Sequence, residues 1–245
     1  MRISAKTHTG QVRHANEDYC AVHKLGEHAT LVVVCDGMGG AAGGSVASKT
    51  AADYVVDTVA NAYRPQSDSR SIKHVLVAAL SNANELVFGL SQQDDELLGM
   101  GTTMVAALLT PAAVHIAHVG DSRAYLYQQG TLHQLTRDHS VVQALVDSGQ
   151  ITETEARIHP RRNLITRVLG VEEHVDIDYC EHPLQHGDII LACTDGLTNT
   201  VDLARALPLL LEQSLFDELA EDLVALANRN GGGDNITVVA AKINS

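Results

Sequence analysis

Three aspartates stand at the ends of apolar segments, where their carboxylates could hold a metal ion. Asp36 and Asp195 each directly follow an apolar segment and precede a glycine, and Asp234 comes just before the apolar segment 236–243. Neighbouring carboxylates repel one another unless cations lie among them, and hard oxygen ligands select Mg²⁺, Mn²⁺ or Ca²⁺ over Zn²⁺. The three positions therefore predict a divalent-cation site. Because Asp-Gly is also a common turn dipeptide, three separate turns are the alternative.

Two further polar clusters allow more than one interpretation. Arg13 lies close in sequence to Glu17 and Asp18, an arrangement that an exposed ion pair would also explain. Asp121 stands in Gly120-Asp121-Ser122, which a simple turn between strands would also explain. From these residues alone, both alternatives remain open.

The glycine-rich loop after Asp36 resembles a nucleotide-binding pattern. Residues 37–42, GMGGAA, match G-x-G-x-x-A between a predicted strand and a predicted helix. That fold requires a second parallel strand ending in an acidic residue about 20 positions later. The acidic residues at that distance, Asp53 and Asp57, lie inside a helical pattern instead. The context therefore disfavours dinucleotide binding.

Hydrophobic periodicity predicts the elements that must position these residues. Apolar runs predict strands at 30–35, 103–109, 113–119, 124–127, 132–135, 188–194 and 236–243. The four runs from 103 to 135 predict one antiparallel meander. Apolar spacings of three and four predict helices at 47–62, 72–90, 202–211 and 214–229. Helices grouped between β segments favour an α+β fold with antiparallel sheets flanked by helices. The polar segment 138–170, with a short helix near 141–146, is expected to form a surface flap.

Composition restricts the functional classes. The chain has 245 residues, with 17 Lys and Arg against 30 Asp and Glu, and a formal net charge of −13. This balance argues against nucleic-acid binding, which needs clustered basic residues. No apolar run could span a bilayer and no secretory signal is evident, so a cytoplasmic protein without membrane association is expected. Four dispersed cysteines provide neither a C-x-x-C zinc motif nor a cysteine-based phosphatase loop.

Eight blocks, in order along almost the whole chain, resemble a known family. They are TGQVRHANED (9–18), VCDGMGG (34–40), GTT (101–103), HVGDSRAY (118–125), TRDHS (136–140), HPRRNLITRVLG (159–170), TDGL (194–197) and GGDNIT (232–237). Together they resemble the metal-dependent serine/threonine protein phosphatases of the type 2C class, in their compact bacterial form. The resemblance implies a single catalytic domain over residues 1–245, with a flap at about 141–168. It also implies a four-layer α-β-β-α sandwich with two central antiparallel sheets.

The same resemblance implies a site with two Mn²⁺ or Mg²⁺ ions and a third, weaker one. Asp36 would bridge the two main ions, with the Gly37 carbonyl on one of them and Asp195 and Asp234 on the other. The other implied residues act around these ions: Glu17 and Asp18 through metal-bound water, Asp121 with Asp195 at the third ion, and Arg13 on the substrate phosphate. The implied activity is hydrolysis of phosphoserine and phosphothreonine in proteins by a metal-bridging hydroxide, without a covalent intermediate.

The implied partners are phosphorylated proteins and a bacterial Ser/Thr kinase that the enzyme would oppose, and a monomer is expected. The alternative is a binding module that recognises phosphoproteins without turnover. Retention of Arg13, Asp36, Asp195 and Asp234 disfavours it, because degraded enzymes usually lose a ligand first.

Three positions depart from the family pattern. Met38 and Ala41 stand where relatives often have histidine, so the acid that protonates the leaving alkoxide is unassigned. A metal-bound water or His159 could serve, although a histidine beside Pro160 is also typical of a surface turn. Asn199 replaces a frequent aspartate and could act as an oxygen ligand or as a hydrogen-bond donor.

Overall fold

Two five-stranded antiparallel sheets form the centre of the fold. The computed structural model describes residues 1–39 and 43–244. The strands are β1 (Arg2–His8), β2 (Tyr19–Leu25), β3 (Ala29–Cys35), β4 (Gly37–Met38), β5 (Gly101–Thr102), β6 (Met104–Leu109), β7 (Ala113–Val119), β8 (Arg123–Gln128), β9 (Thr131–Gln134), β10 (Asp178–Pro183), β11 (Ile189–Cys193) and β12 (Ile236–Lys242). One sheet has the order β1-β12-β11-β8-β9 and the other β10-β7-β6-β3-β2, while β4 and β5 form a small separate pair.

Helices cover the outer faces of both sheets. On one outer face lie α1 (Gly43–Ala62) and α2 (Ser69–Ser91), and on the other lie α6 (Leu203–Gln213) and α7 (Leu219–Arg229). The helices α3 (Val141–Asp147) and α4 (Glu153–Ile158) belong to the polar segment, and α5 (Asp195–Thr198) follows β11. The helix α2 starts where the Asp68 side chain accepts the Ser71 N–H at 2.8 Å, a typical N-cap. Within the described residues, no helix combines the length and hydropathy that a membrane span requires.

Three apolar layers explain why several strands are apolar without interruption. In β3, Leu31 and Val33 pack with α1 and α2, whereas Val32 and Val34 pack between the two sheets. Because successive strand side chains point to opposite faces, a strand buried on both faces must be apolar throughout. A third layer joins the other sheet to α6 and α7. The predicted four-layer α-β-β-α sandwich is confirmed.

The predicted single meander from 103 to 135 is wrong at its centre. The strands β6 and β7 pair in one sheet, whereas β8 and β9 pair in the other. The chain crosses between sheets at residues 120–122, where Gly120 has a positive φ of 101°. An apolar pattern is the same for strands that pair side by side and for strands that stack face to face, so it cannot distinguish these two arrangements. The crossing places Asp121 between the sheets.

The polar segment contains one predicted helix and one that was not predicted. The helix α3 agrees with the predicted stretch at 141–146. The helix α4 starts with a capping box in which Thr152 and Glu155 exchange hydrogen bonds, and the sequence carries this T-x-x-E signature. No side chain in 141–168 is fully buried. Ala41, one of the departures from the family pattern, lies outside the described residues.

Candidate metal centre

The predicted carboxylates meet where the two sheets end. Asp36 follows β3 in one sheet, while Asp195 and Asp234 lie next to β11 and β12 in the other. The Asp36 and Asp195 carboxyls lie close enough for each to shift the pKa of the other. Asp195 does not occupy a simple turn but begins the short helix α5. Asp18 joins the group, because its Oδ2 accepts the Thr194 hydroxyl at 2.9 Å.

Burial and mutual repulsion make this group costly without a cation. Burial first, and then the neighbouring carboxylates, raise the pKa of Asp36 well above its usual range and also raise the pKa of Asp195. The same two causes raise the pKa of Asp18 to about 7 and that of Asp121 to about 7. Asp18 Oδ1 and Asp195 Oδ1 are buried without a hydrogen-bond partner. Unpaired, buried carboxylate oxygens fit a hard divalent cation.

Asp234 has a different partner from the other carboxylates. Its Oδ2 lies 2.8 Å from Arg13 Nη2, and its Oδ1 accepts the Asn235 N–H at 2.9 Å. The Arg13 side chain is 53% exposed, so its guanidinium can reach both this carboxylate and solvent. The structure thus brings Arg13 to the carboxylates through an ion pair with Asp234.

Asn199 acts as a hydrogen-bond donor in this structure. Its Nδ2 donates to Asp195 Oδ2 at 3.0 Å. Of the two roles considered from the sequence, the structure shows the donor role. An Asn at this position can stabilise the charged form of Asp195 without adding a further carboxylate to the group.

Close packing around Glu17 explains the glycines of the loop. A Cβ on Gly37 would lie 2.1 Å from the Gly44 carbonyl oxygen and 2.5 Å from that of Glu17. A Cβ on Gly44 would lie 2.6 Å from Glu17 Oε1, and the pKa of the Glu17 carboxyl is raised, mainly by burial. Glycine at these two positions is therefore required by backbone and side-chain contact within the protein. A Cβ on Gly39 would likewise lie 2.7 Å from Met100 Cα, so both glycines of the G-x-G pattern have a structural cause that involves no nucleotide.

Sequence reasoning missed Asn235, which fixes the loop carrying Arg13. Its Nδ2 donates to the carbonyls of Thr9 at 2.8 Å and Ala15 at 2.9 Å, and its Oδ1 accepts the Glu17 N–H at 2.8 Å. The side chain is buried. The available signal was an asparagine directly before a mainly apolar strand, inside the GGDNIT block. It indicates a polar group with internal partners but does not identify them.

Thr103 and Ser122 were also missed, and they link Asp36 to the crossing turn. The Asp36 N–H donates to Thr103 Oγ1 at 3.0 Å, and the Thr103 N–H donates to the Asp36 carbonyl at 2.9 Å. The Thr103 hydroxyl also lies 2.7 Å from the Ser122 hydroxyl. The backbone of Asp36 is therefore held at both of its polar groups.

A cavity of about 660 Å³ separates the carboxylates from the polar segment 141–168. Asp121, Asp195 and Asn199 line one side, and Arg157 and Arg162 are among the residues on the other. His159, considered above as an acid, is not part of this lining; its Nδ1 accepts the Arg161 N–H at 3.1 Å. This arrangement leaves room for a substrate beside Asp121 and Asp195.

Known proteins are similar to this chain in sequence and in structure. Residues 7–230 match the family described as Protein phosphatase 2C. A serine/threonine phosphatase stp from Listeria welshimeri is 38% identical over 247 residues, which is 100% of this chain and 96% of that protein.

Two solved structures are similar over nearly their whole length. The serine/threonine phosphatase Stp1 from Staphylococcus aureus has a TM-score of 0.92 and 36% identity, covering 99% of this chain and 95% of that one. The catalytic domain of the serine threonine protein phosphatase PstP, in complex with two manganese ions, has a TM-score of 0.82 and 35% identity, covering 100% of this chain and 98% of that one. On the match over most of its length and the shared fold, the chain belongs to the protein phosphatase 2C family.

Proposed function

We propose that this metal-dependent serine/threonine phosphoprotein phosphatase acts through two Mn²⁺ or Mg²⁺ ions, with a third held more weakly. The observation that carries the proposal is the group of buried carboxylates with raised pKa values and unpaired oxygens. A protein retains such an unfavourable group when a bound cation compensates for it. Bound divalent ions supply a nucleophile at neutral pH and neutralise the phosphoryl oxygens.

The roles around the metal ions are assigned to particular residues of the chain. We assign the main ions to Asp36, the Gly37 carbonyl, Asp195 and Asp234. Glu17 and Asp18 would act mostly through metal-bound water, and Asp121 would hold the third ion together with Asp195.

Arg13 is assigned to the substrate phosphate. Its guanidinium lies at the exposed edge of the carboxylates and offers two parallel donors to phosphate oxygens. Phosphate binding requires Arg13 to exchange its contact with Asp234 for the substrate. This exchange costs little free energy, because the ion pair between Arg13 and Asp234 is half exposed.

We further propose a single catalytic domain over residues 1–245, with residues 141–168 as a flap above the cavity. The few buried contacts of this segment support the flap, as does its position across the cavity from Asp121. The natural substrates are proteins phosphorylated by a bacterial Ser/Thr kinase in the cytoplasm, and the enzyme acts as a monomer. Sedimentation of the purified protein tests the monomer, and cell fractionation tests the location.

The central experiment measures hydrolysis of p-nitrophenyl phosphate and of a phosphothreonine peptide. Activity should be lost with chelator and restored by Mn²⁺ or Mg²⁺. Asp36→Asn should abolish turnover while the protein stays folded by circular dichroism. The matched control is Asp53→Asn, which changes an exposed aspartate paired with Lys49 on α1. Peptide binding without turnover under any metal would support the binding module instead.

A further inference from the structure

Behind the crossing turn lies a polar cluster that the proposed mechanism does not use. His118 and His139 are buried, and their rings stack at 4.9 Å between centroids with 12° between planes. Asp178 and Arg167 complete the cluster: Arg167 Nη1 lies 2.8 Å from Asp178 Oδ1. Asp178 belongs to β10, the edge strand that pairs with β7.

His139 holds Gly120, the residue before Asp121, at both of its backbone polar groups. The His139 N–H donates to the Gly120 carbonyl at 2.9 Å, and the Gly120 N–H donates to His139 Nδ1 at 3.1 Å. A neutral imidazole that accepts at Nδ1 carries its proton on Nε2. The hydrogen bond to Gly120 therefore requires one particular tautomer of His139.

Asp178 selects that tautomer. His139 Nε2 lies 3.3 Å from Asp178 Oδ2, and the negative charge of this carboxylate favours a proton on that nitrogen. Burial is the main cause that lowers the pKa of His139, so the ring stays neutral at neutral pH and Nδ1 stays an acceptor. Arg167 binds the other oxygen of the same carboxylate, which fixes the orientation of Asp178.

These contacts argue against a metal ion in the cluster. One ligand atom each from His118, His139 and Asp178 lie within 4.8 Å of one another, and His and carboxylate ligands suit zinc. However, the acceptor role of Nδ1 leaves a proton, rather than a lone pair, on His139 Nε2. The Arg167 guanidinium also already supplies a positive charge, 3.2 Å from that nitrogen. Hydrogen bonding accounts for the arrangement.

The turn is also fixed on its other side. Ser122, directly after Asp121, meets the Thr103 hydroxyl at 2.7 Å, and Thr103 in turn holds the Asp36 backbone. A Cβ on Gly120 would lie 2.6 Å from Thr103 Cβ, so the turn packs directly on this threonine. Asp121 thus stands between two anchored neighbours, one held by His139 and one by Thr103.

We propose that His139, oriented by Asp178, is a positioning residue that aims the Asp121 carboxylate at the third metal ion. The proposal rests on the assignment of Asp121 as a ligand under Proposed function. Hydrogen-bonding partners that orient a metal ligand typically change metal affinity by about 10–100-fold when they are removed. The flap contributes to this control, because Arg167 lies at its C-terminal end.

Two substitutions of His139 distinguish a role in positioning Asp121 from a role in packing alone. In His139→Asn, the side-chain oxygen can reach the position of Nδ1 and accept the Gly120 N–H. In His139→Gln, the amide reaches the position of Nε2 and leaves that N–H without a partner. Mn²⁺ binding is followed by electron paramagnetic resonance of the free ion, and phosphopeptide turnover is measured as a function of Mn²⁺ concentration.

We expect His139→Gln to weaken the lowest-affinity Mn²⁺ site by about 10–100-fold, and His139→Asn to remain close to the wild type. In an Asp121→Asn background, His139→Gln should have no further effect on Mn²⁺ binding, because the ligand that it positions is gone. The proposal would be overturned if His139→Asn and His139→Gln weakened Mn²⁺ binding equally. It would also be overturned if His139→Gln weakened Mn²⁺ binding as much in the Asp121→Asn background as in the wild type.

Two further outcomes are distinguishable. If Zn²⁺ binds stoichiometrically to the Asp121→Asn protein and His118→Phe removes that binding, the cluster is a metal site and the proposal is wrong. If the wild type binds Mn²⁺ but hydrolyses no phosphoester, the proposed function fails. The resonance measurement still reports in that case whether His139 controls the weak site.

Discussion

Asp18→Asn should make the metal-free protein more stable while impairing its response to metal. Burial and the neighbouring Asp195 and Asp234 raise the pKa of Asp18 from 3.8 to about 7 in the folded protein. Between these two pH values the folded state binds more protons than the unfolded state, so the stability of the wild type falls as the pH rises. Asparagine has no charge to bury, so the variant avoids this loss.

The size of the effect follows from the pKa difference. Each pH unit corresponds to roughly 1.4 kcal/mol, so the difference between 3.8 and about 7 is worth up to about 4 kcal/mol above pH 7. The free energy of unfolding of Asp18→Asn, minus that of the wild type, should be near zero at pH 4 and should approach this value at pH 8. Histidines whose pKa is lowered by burial titrate in both proteins and cancel in the difference.

Urea denaturation in chelator at several pH values measures this difference. With Mn²⁺ at about 100 times its dissociation constant, the wild type should gain about 2.7 kcal/mol per occupied site. The variant should gain less, because its metal site lacks one nearby negative charge. A difference that is flat between pH 4 and pH 8, or one in which the variant is less stable at pH 8, would refute the reasoning.

Three substitutions test the packing and charge around the site. Asn235→Ala removes three hydrogen bonds from the loop of Arg13 and should cost about 3 kcal/mol in urea denaturation. The control Asn61→Ala changes an exposed asparagine at the end of α1 and should change stability by less than about 0.5 kcal/mol. Gly196→Ala should lower the free energy of unfolding by about 3 kcal/mol or more, because its Cβ would lie 1.9 Å from the Asn235 carbonyl oxygen. The control Gly89→Ala, in open space on α2, should leave the free energy of unfolding unchanged or raise it in the same assay. Arg13→Lys loses the two-donor geometry and should raise KM for a phosphopeptide about tenfold, with Arg64→Lys as the control; an unchanged KM would remove Arg13 from phosphate binding.

Much of the fold could be predicted from apolar runs, and the missed strands share one property. The strands β1, β2 and β10 were not predicted, and each lies at the edge of a sheet. An edge strand packs on fewer neighbours and carries more polar residues, so β1 has the mixed sequence RISAKTH. Central strands such as β3 are buried on both faces, and their almost uninterrupted apolar sequence predicts this burial.

The candidate site was predicted less completely than the fold. The carboxylates could be recognised by their place at the ends of apolar segments and by the family blocks. The residues that orient them could not, because Asn235, Thr103 and His139 act through contacts with residues far away in the chain. Hydrogen bonds of this kind leave no periodic trace in a sequence.

The sequence by itself determined the class of fold, the carboxylates and the family of this protein, because hydrophobic periodicity and ordered motifs are local properties of the chain. Only the tertiary structure decided which strands share a sheet, and therefore that the turn of Asp121 crosses between sheets to join Asp195. It also decided the protonation of the site, since the repulsion that raises the pKa of Asp36 comes from residues brought together by folding. Burial and proximity are properties of the folded chain, and the chemistry of this site depends on both.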